Sequence, residues 1–320
     1  MPTLTVEQIL KGTRTGARQS VGQMEVIPLL SDEDDDRFAP PDFHASTHEY
    51  GSVHLRNTAD RPSIVSPGAG WCVKDAAQDH AVCGGALMAP KSERDMDRAC
   101  CIQETQSGLI RDQQGSMIIL PAALRAQALA TRLEDKYDRL WTFIRAFKRS
   151  VGLSGSGNIA DFLRHFKKQL DEFVAEFELV PRQVGSIILV GGKVVGVERA
   201  PSVAFWERLW VPLIRVCYGS LSLQVAKGNP LPPATRSALT VGERSLEGLQ
   251  AALKEATEKD QETTSTVVGE TQALQLEAAA RPDEKMGGFS LRTVASRLLS
   301  GQFVGEGDEV LYASLCLSGK

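Results

Sequence analysis

Apolar positions between Tyr50 and about Leu120 fall in short runs that turn-forming residues separate. Ser52 to Leu55 alternates between apolar and polar positions, and the string NTADRP at 57–62 favours a turn. Further apolar runs follow at 63–65, 81–88 and 100–102. Short runs bounded by Gly, Pro, Asn and Asp are typical of antiparallel strands. We therefore predict an antiparallel β region here.

After Pro121 the apolar spacing changes to that of a helix. Apolar residues recur at intervals of three and four and would share one face: Leu129, Leu133, Tyr137, Leu140, Trp141, Ile144 and Phe147. This pattern predicts a single helix of about 25 residues. Asn158 is a suitable N-cap for a second helix. The glycine-rich residues 152–157 would join the two helices into a hairpin.

The region after the helical hairpin combines strands with two further helices. Val184–Val190 and Lys193–Val197 flank Gly191-Gly192, which predicts a β-hairpin because both glycines can adopt positive φ. The spacing of Phe205, Trp206 and Trp210 predicts a helix over Val203–Tyr218. A helix at 243–258, a loop at 259–266 and short strands at 272–278, 288–291 and 309–317 complete the prediction.

The first residues predict a short helix at 6–10 and a strand at Met24–Leu30, in which Pro28 favours an edge position or a strand end. Together the patterns predict an α+β fold, in which an antiparallel β sandwich or partly closed sheet is covered by two or three helices from the middle of the chain. We expect one domain over 1–320. Its irregular parts are an acidic, proline-containing loop at 31–48, the helical hairpin at 120–180 and a loop-rich insertion with one helix at 228–270.

Composition and charge exclude some function classes. The 320 residues are 42% hydrophobic and carry a formal net charge of −4, which makes nucleic acid an unlikely partner. No run approaches the roughly 18 apolar residues of a membrane span, and the first ten residues lack the pattern of a secretory signal. We therefore expect a cytoplasmic protein without a membrane partner. The six cysteines include no C-x-x-C pair, so we expect free thiols.

Candidate chemistry concentrates between Gly68 and Gly108. If His80 and Cys101 lie on neighbouring strands, a thiolate paired with imidazolium becomes available, with Asp79 as a third catalytic candidate. The structural alternative is that the cysteines are small core residues and that His80 is held by Asp79 or Asp97. A metal site on His80 with neighbouring carboxylates is a weaker alternative.

Amide and charged side chains in the same region are candidates for ligand contact. Gln78, Gln103 and Gln106 each offer donors and an acceptor, which suits recognition of a base edge or a ribose. Lys74 could contact a phosphate, and Asp97 completes the predicted ligand-binding set. Buried glutamines also join adjacent strands, and a lysine beside Asp75 is commonly half of a surface ion pair.

The string GSGNIA at 155–160 imitates part of a dinucleotide fingerprint. It follows a predicted helix instead of a strand, so it lacks the βαβ context that the fingerprint requires. We interpret it as a connector.

Several ordered strings resemble the ARPP family, the domains named for association with ADP-ribosylglycohydrolases and rhodanese-phosphatases. The resemblance rests on NTADRP, AQDHA, DRACCIQETQSG, VGSIILVGGKVVGVE and FWERLW, and it covers roughly residues 20 to 220. It implies a bacterial system linked to NAD or ADP-ribose, or a bacterial conflict system, but neither a reaction nor a cofactor.

Two functional hypotheses follow. In the first, the polar region binds, and in one version also processes, a nucleotide-like or ADP-ribose-related small molecule. In the second, the chain is a non-enzymatic module whose polar cluster is structural and whose helical face binds a protein partner.

Overall fold

The computed structural model describes residues 3–47, 49–72, 79–105, 116–228 and 245–318. It confirms the α+β prediction: antiparallel sheets dominate, and helices come from the middle of the chain. The largest sheet is open, not a closed barrel. That the chain forms a single domain remains a prediction.

The N-terminal part contains short strands and one helix. These elements are β1 (Thr3–Thr5), α1 (Val6–Leu10), β2 (Arg14–Thr15), β3 (Gln19–Val21), β4 (Met24–Leu30), β5 (Phe43–Ser46), β6 (Val53–Asn57), β7 (Ser63–Val65), β8 (Ala69–Cys72), β9 (His80–Ala81), β10 (Ala86–Met88), β11 (Glu93–Met96), β12 (Cys100–Cys101) and β13 (Ser116–Ile119). They confirm the antiparallel β region predicted between residues 50 and 120.

Helices follow, and strands return at the C-terminal end. The middle contains α2 (Ala122–Ala130), α3 (Trp141–Ser150), α4 (Ile159–His165) and α5 (Lys167–Ala175). The remainder comprises β14 (Gln183–Val190), β15 (Lys193–Arg199), α6 (Val203–Val211), a π-helix (Pro212–Tyr218), α7 (Gly219–Gly228), α8 (Leu246–Gln272), β16 (Gln275–Ala278), β17 (Glu284–Met286), β18 (Phe289–Ala295), β19 (Leu299–Glu306) and β20 (Glu309–Leu317).

Strands from both ends of the chain meet in one large sheet. Its order is β1-β16-β18-β19-β20-β15-β14-β4-β2, with β3 paired to β4 and β17 paired to β18. One face packs against α1 and α8, and the other packs against α6 and the π-helix. Because both faces are covered, every residue of β14 is buried, which explains its nearly continuous apolar run. Residues 43–119 form three smaller sheets.

The β-hairpin prediction is confirmed. Val190 pairs with Lys193, and Gly191 and Gly192 have φ of 60° and 73°, as a two-residue turn of this kind requires. Both alternatives predicted from Pro28, an edge position and a strand end, are wrong, because β4 has strand neighbours on both sides and continues to Leu30. Pro28 is tolerated there because it lies between the stretches of β4 that pair with β2 and with β3, where no donor is needed on that side.

The single helix predicted after Pro121 is wrong. The chain forms α2 and α3, separated by a non-helical stretch that we call the 131–140 turn segment. Its Leu133 and Tyr137 fit the helical spacing but are 66% and 38% exposed. The first helix ends where the Thr131 hydroxyl donates to the carbonyl of Gln127 at 2.9 Å.

The loop predicted at 259–266 is also wrong, because these residues belong to α8. Thr263 and Thr266 donate to the carbonyls four residues earlier, at 2.8 and 3.0 Å. Asp260 accepts a hydrogen bond from Arg18 at 3.0 Å, and the next turn packs Val267 against the core. Tertiary contacts thus hold a segment that is too polar to predict a helix.

The aromatic side chains of the predicted helical stripes mostly lie in the core. Phe147, Phe205, Trp206 and Trp210 are buried. The segment Val203–Gly228 is long and apolar enough to cross a membrane, but more than half of it is buried within the protein. A core helix of a soluble protein meets the same criterion.

Candidate functional site

The structure brings four of the sequence-predicted site residues together. His80 in β9 lies directly opposite Cys101 in β12, so the two residues are on neighbouring strands. Asp79 precedes β9, and its carbonyl accepts a hydrogen bond from the backbone N–H of Ile102 at 2.9 Å. Gln103 follows β12. Asp79, His80 and Cys101 are fully buried, and Gln103 is 7% exposed.

The hydrogen bonds of His80 and Cys101 differ from those of a thiolate–imidazolium pair. The backbone N–H of Gly51 donates to Nε2 of His80 at 3.3 Å, so this nitrogen is an unprotonated acceptor. The Cys101 thiol donates to the carbonyl of Gln103 at 3.3 Å. Burial raises the pKa of Cys101, which keeps the thiol protonated. These contacts favour the structural alternative.

The remaining predicted residues lie elsewhere. Lys74, Gln78 and Gln106 are outside the described residues. Asp97 is exposed and lines a surface cleft of about 440 Å³, a volume in the range of small-molecule sites. We call this the 83–97 cleft; its walls are 82–85, 94–99, part of the 131–140 turn segment, Asp283, Glu284, Leu291 and Gln302.

Arginine–carboxylate pairs surround the 83–97 cleft. Arg94 pairs with Glu284, Arg132 with Asp283 at 3.1 Å, and Arg98 with Asp135 at 3.0 Å. These pairs are at least partly exposed, so each contributes little to stability and can exchange partners. The cleft therefore presents guanidinium donors and carboxylate acceptors to whatever enters it.

Sequence reasoning missed two further residues at this cleft. Cys83 lines it and is 2% exposed, and Arg139 donates to its sulfur at 3.1 Å. The single helix predicted after Pro121 would include both Arg132 and Arg139, whereas in the structure both belong to the 131–140 turn segment. The string Cys83-Gly84-Gly85, within an apolar run, was the available signal for a close approach of the backbone.

A hydrogen bond to the carboxylate of Glu104 holds the GSGNIA string in place. It connects α3 with α4, which confirms that the strand context of a dinucleotide site is missing. The backbone N–H of Gly157 donates to Glu104, which also pairs with Arg145. The amide that could bind a phosphate near the start of this helix is therefore occupied. Asn158 lies at the N-cap position, but its side chain bonds Thr105 instead of capping the helix.

Glu104→Gln should destabilise the protein at neutral pH by about 1–2 kcal/mol, because charge-assisted hydrogen bonds are lost. The bonds from Gly157 and Arg145 hold the pKa of Glu104 below its ordinary value. Such a group stabilises the fold above its unfolded-state pKa and loses this effect as pH falls through the folded-state pKa. Denaturant unfolding should therefore show the difference between variant and wild type shrinking below about pH 4.

The matched control for this prediction is Glu172→Gln. Glu172 is exposed and lies 3.7 Å from Lys168, so its loss should cost under about 0.5 kcal/mol. An equal effect of both substitutions at neutral pH would contradict the anchoring role of Glu104.

Within the described ranges, no group of three or more His, Cys, Asp or Glu side chains is placed to hold a metal ion. A second cleft, of about 540 Å³, has carboxylates of Glu33, Asp35, Asp308 and Glu309 on its walls. Its Arg199 donates to the backbone carbonyls of Ile9 and Lys11.

The fold and the clefts define an α+β protein with an open antiparallel sheet and polar surface depressions. Residues 12–299 match the family model described as the ARG and Rhodanese-Phosphatase-superfamily-associated Protein domain. The match spans most of the chain, which therefore belongs to this family, as the resemblance implied. No curated protein and no solved structure matches it.

Proposed function

We propose that this chain binds a nucleotide-like, ADP-ribose-related small molecule in the 83–97 cleft. The observation that carries the proposal is that Asp97 shares a cleft of about 440 Å³ with three arginines. The description of the family, which associates it with ARG and rhodanese-phosphatase proteins, is compatible with an ADP-ribose-related context. We place this function in the cytoplasm of a bacterial cell.

The charge pattern of the cleft suits a ligand with two kinds of polar group. Phosphate oxygens can replace the carboxylate partners of Arg94, Arg98 or Arg132, because guanidinium binds both groups in the same geometry. Carboxylates such as Asp97 can accept hydrogen bonds from ribose hydroxyls, as acidic residues do in dinucleotide sites. A nucleotide diphosphate sugar presents both groups within one molecule.

The other sequence-predicted residues enter the proposal in different ways. Lys74, Gln78 and Gln106 keep their predicted role as ligand contacts. Asp79, His80, Cys101 and Gln103 support the strands that carry the cleft walls, since β12 continues from the 94–99 wall. Catalysis by Asp79, His80 and Cys101 remains a prediction, and the proposal requires binding without requiring turnover.

We expect ADP-ribose to raise the melting temperature of the wild-type chain, since a ligand that binds only the folded state stabilises it. AMP, NAD and inorganic phosphate are tested in the same way, so that their effects on the melting temperature can be compared with that of ADP-ribose. Asp97→Asn should weaken the ADP-ribose response at least about tenfold in apparent affinity, the effect of about 1.4 kcal/mol of lost contact. The stability of the Asp97→Asn variant without ligand should differ little from that of wild type, because Asp97 is exposed.

The matched control is Asp36→Asn, which removes a carboxylate whose side chain is 90% exposed away from the cleft. It should leave the ligand response unchanged. If ADP-ribose raises the melting temperature of wild type and of Asp97→Asn equally, the ligand binds outside the 83–97 cleft. No response to any probe would contradict the proposal.

A second candidate is the non-enzymatic interaction module. The observation in its favour is an apolar stripe on α8, where Leu246, Leu249 and Leu253 are 73%, 38% and 46% exposed. Their spacing of three and four places them on one face of the helix. Failure of every small-molecule probe would favour this candidate, with α8 and not the buried aromatic stripes as its surface.

A further inference from the structure

A pair of thiols lies at the 83–97 cleft, and only one of them can be reached from it. Cys83 lines the cleft, whereas Cys100 is fully buried behind it. Both are free and belong to one buried cluster, and Cys100 pairs across the strands with Ala81, two residues before Cys83. Cys101, the next residue, points to the opposite face of its strand and bonds Gln103. The geometry therefore distinguishes an outer thiol, an inner thiol and an uninvolved neighbour.

Arg139 fixes a positive charge beside the outer thiol. Its Nη2 atom donates to the sulfur of Cys83 at 3.1 Å and to the carbonyl of Arg98 at 2.8 Å. Its Nη1 atom donates to the carbonyl of Lys136. The guanidinium is thus anchored to two backbone groups and cannot easily leave the sulfur.

The pKa values of the two thiols shift in opposite directions. The neighbouring Cys100 thiol and the Arg139 charge lower the pKa of Cys83, and burial opposes them. The neighbouring Cys83 thiol and burial raise the pKa of Cys100. Cys83 is therefore the nucleophilic sulfur, because it lines the cleft and contacts the Arg139 guanidinium, whereas Cys100 is fully buried.

We propose that Cys83 is a peroxide-reactive thiol and that Cys100 resolves its oxidised form to a Cys83–Cys100 disulfide. This inference concerns covalent chemistry of the chain itself and does not depend on the proposed ligand. The oxidant is a hydroperoxide small enough to enter the cleft, such as hydrogen peroxide.

The chemistry takes two steps. In the first, the Cys83 sulfur attacks one peroxide oxygen, the O–O bond breaks, and the departing hydroxide takes a proton to leave as water. Cys83 is oxidised by two electrons to a sulfenic acid, and the peroxide is reduced. In the second, the Cys100 sulfur attacks the Cys83 sulfur, the S–O bond breaks, and the hydroxyl leaves as water with the Cys100 proton.

The test treats the full-length protein in its folded state with a small excess of hydrogen peroxide, followed by alkylation and peptide mass spectrometry. Wild type should lose two hydrogens in a peptide pair that links Cys83 with Cys100. Cys100→Ser should leave Cys83 as a sulfenic acid that dimedone traps. Cys83→Ser should leave Cys100 reduced.

Arg139→Gln tests the charge, and Arg149→Gln is its matched control on an exposed position of α3. Loss of the Arg139 charge should slow alkylation of Cys83 by iodoacetamide about tenfold, because a smaller fraction of the thiol is then ionised. Arg149→Gln should not slow it. The proposal is overturned if Cys83 reacts no faster than the buried Cys217 and Cys316, if another cysteine pair forms the disulfide, or if Arg139→Gln reacts at the wild-type rate.

Discussion

Replacing Arg125 by methionine is expected to lower the free energy of unfolding by about 3–5 kcal/mol, because it leaves a buried carboxylate without its charge partner. Arg125 and Glu198 are each 1% exposed, and their Nη1 and Oε1 atoms are 2.6 Å apart. The arginine also donates to the carbonyl of Pro67 and to the hydroxyl of Ser314. The network thus connects α2, β15 and β20 across one face of the large sheet.

Glu198 is the acceptor at the centre of this network. Besides the arginine, the hydroxyls of Ser314 and Tyr218 donate to its carboxylate, the latter at 2.6 Å. Burial and the neighbouring carboxylate raise the pKa of Tyr218, so the phenol stays protonated and remains a donor. Without Arg125 these neutral donors cannot compensate the buried negative charge.

Chemical denaturation of Arg125→Met, Glu198→Gln, the double variant and an exposed control checks this prediction. The loss of unfolding free energy in the double variant Arg125→Met/Glu198→Gln should be smaller than the sum of the two single losses by at least about 1 kcal/mol. The reason is that the double variant contains no unpaired charge. Arg164→Met, which removes an arginine 77% exposed, should cost under about 0.5 kcal/mol. Additive single effects, or a cost below about 1 kcal/mol for Arg125→Met, would contradict the role of the network.

The second large effect is expected from Gly196→Ala, which should destabilise the protein by about 3 kcal/mol or prevent folding. An added Cβ would lie 2.1 Å from the Tyr218 hydroxyl oxygen and 2.5 Å from the ring carbon that bears it. Gly196 is paired with Ile188 on one side and Cys316 on the other, so the strand cannot move away. Displacement of Tyr218 would also break its bond to Glu198.

Gly269→Ala is the matched control for this substitution. Gly269 lies in α8, and nothing is within 4 Å of the position of its added Cβ. Alanine should stabilise this helix by up to about 1 kcal/mol, so the two substitutions should have opposite signs in thermal unfolding. A Gly196→Ala variant as stable as wild type would show that the close approach of the π-helix to β15 is not required.

Elements that carry their own local signal could be predicted from the sequence. The β14–β15 hairpin followed from two adjacent glycines between apolar runs, and the helix from Val203 followed from its aromatic spacing. The 131–140 turn segment could not be predicted, because Leu133 and Tyr137 fit the helical period as well as buried residues do. The segment also makes contacts that are distant in sequence, such as that between Arg139 and Cys83.

The candidate site was predicted unevenly for a similar reason. The sequence left open whether His80 and Cys101 lie on neighbouring strands, and the structure meets this condition. Strand adjacency does not reveal whether a pair faces solvent or the interior. Asp97 lies at the cleft as a predicted ligand contact, whereas Arg94, Arg98 and Arg132 were not predicted as site residues. The Arg125–Glu198 pair gave no signal at all, because a lone arginine in an apolar helix and a lone glutamate in a strand are 73 residues apart.

Hydrogen–deuterium exchange of the wild-type chain with and without ADP-ribose tests the binding proposal most directly. Bound ligand should slow exchange at 82–85, 94–99 and 131–135, and Asp97→Asn should lose this protection at the same ligand concentration. Protection confined to 199–201 and 308–311 would assign the ligand to the second cleft. That result, or unchanged exchange throughout, would contradict binding in the 83–97 cleft.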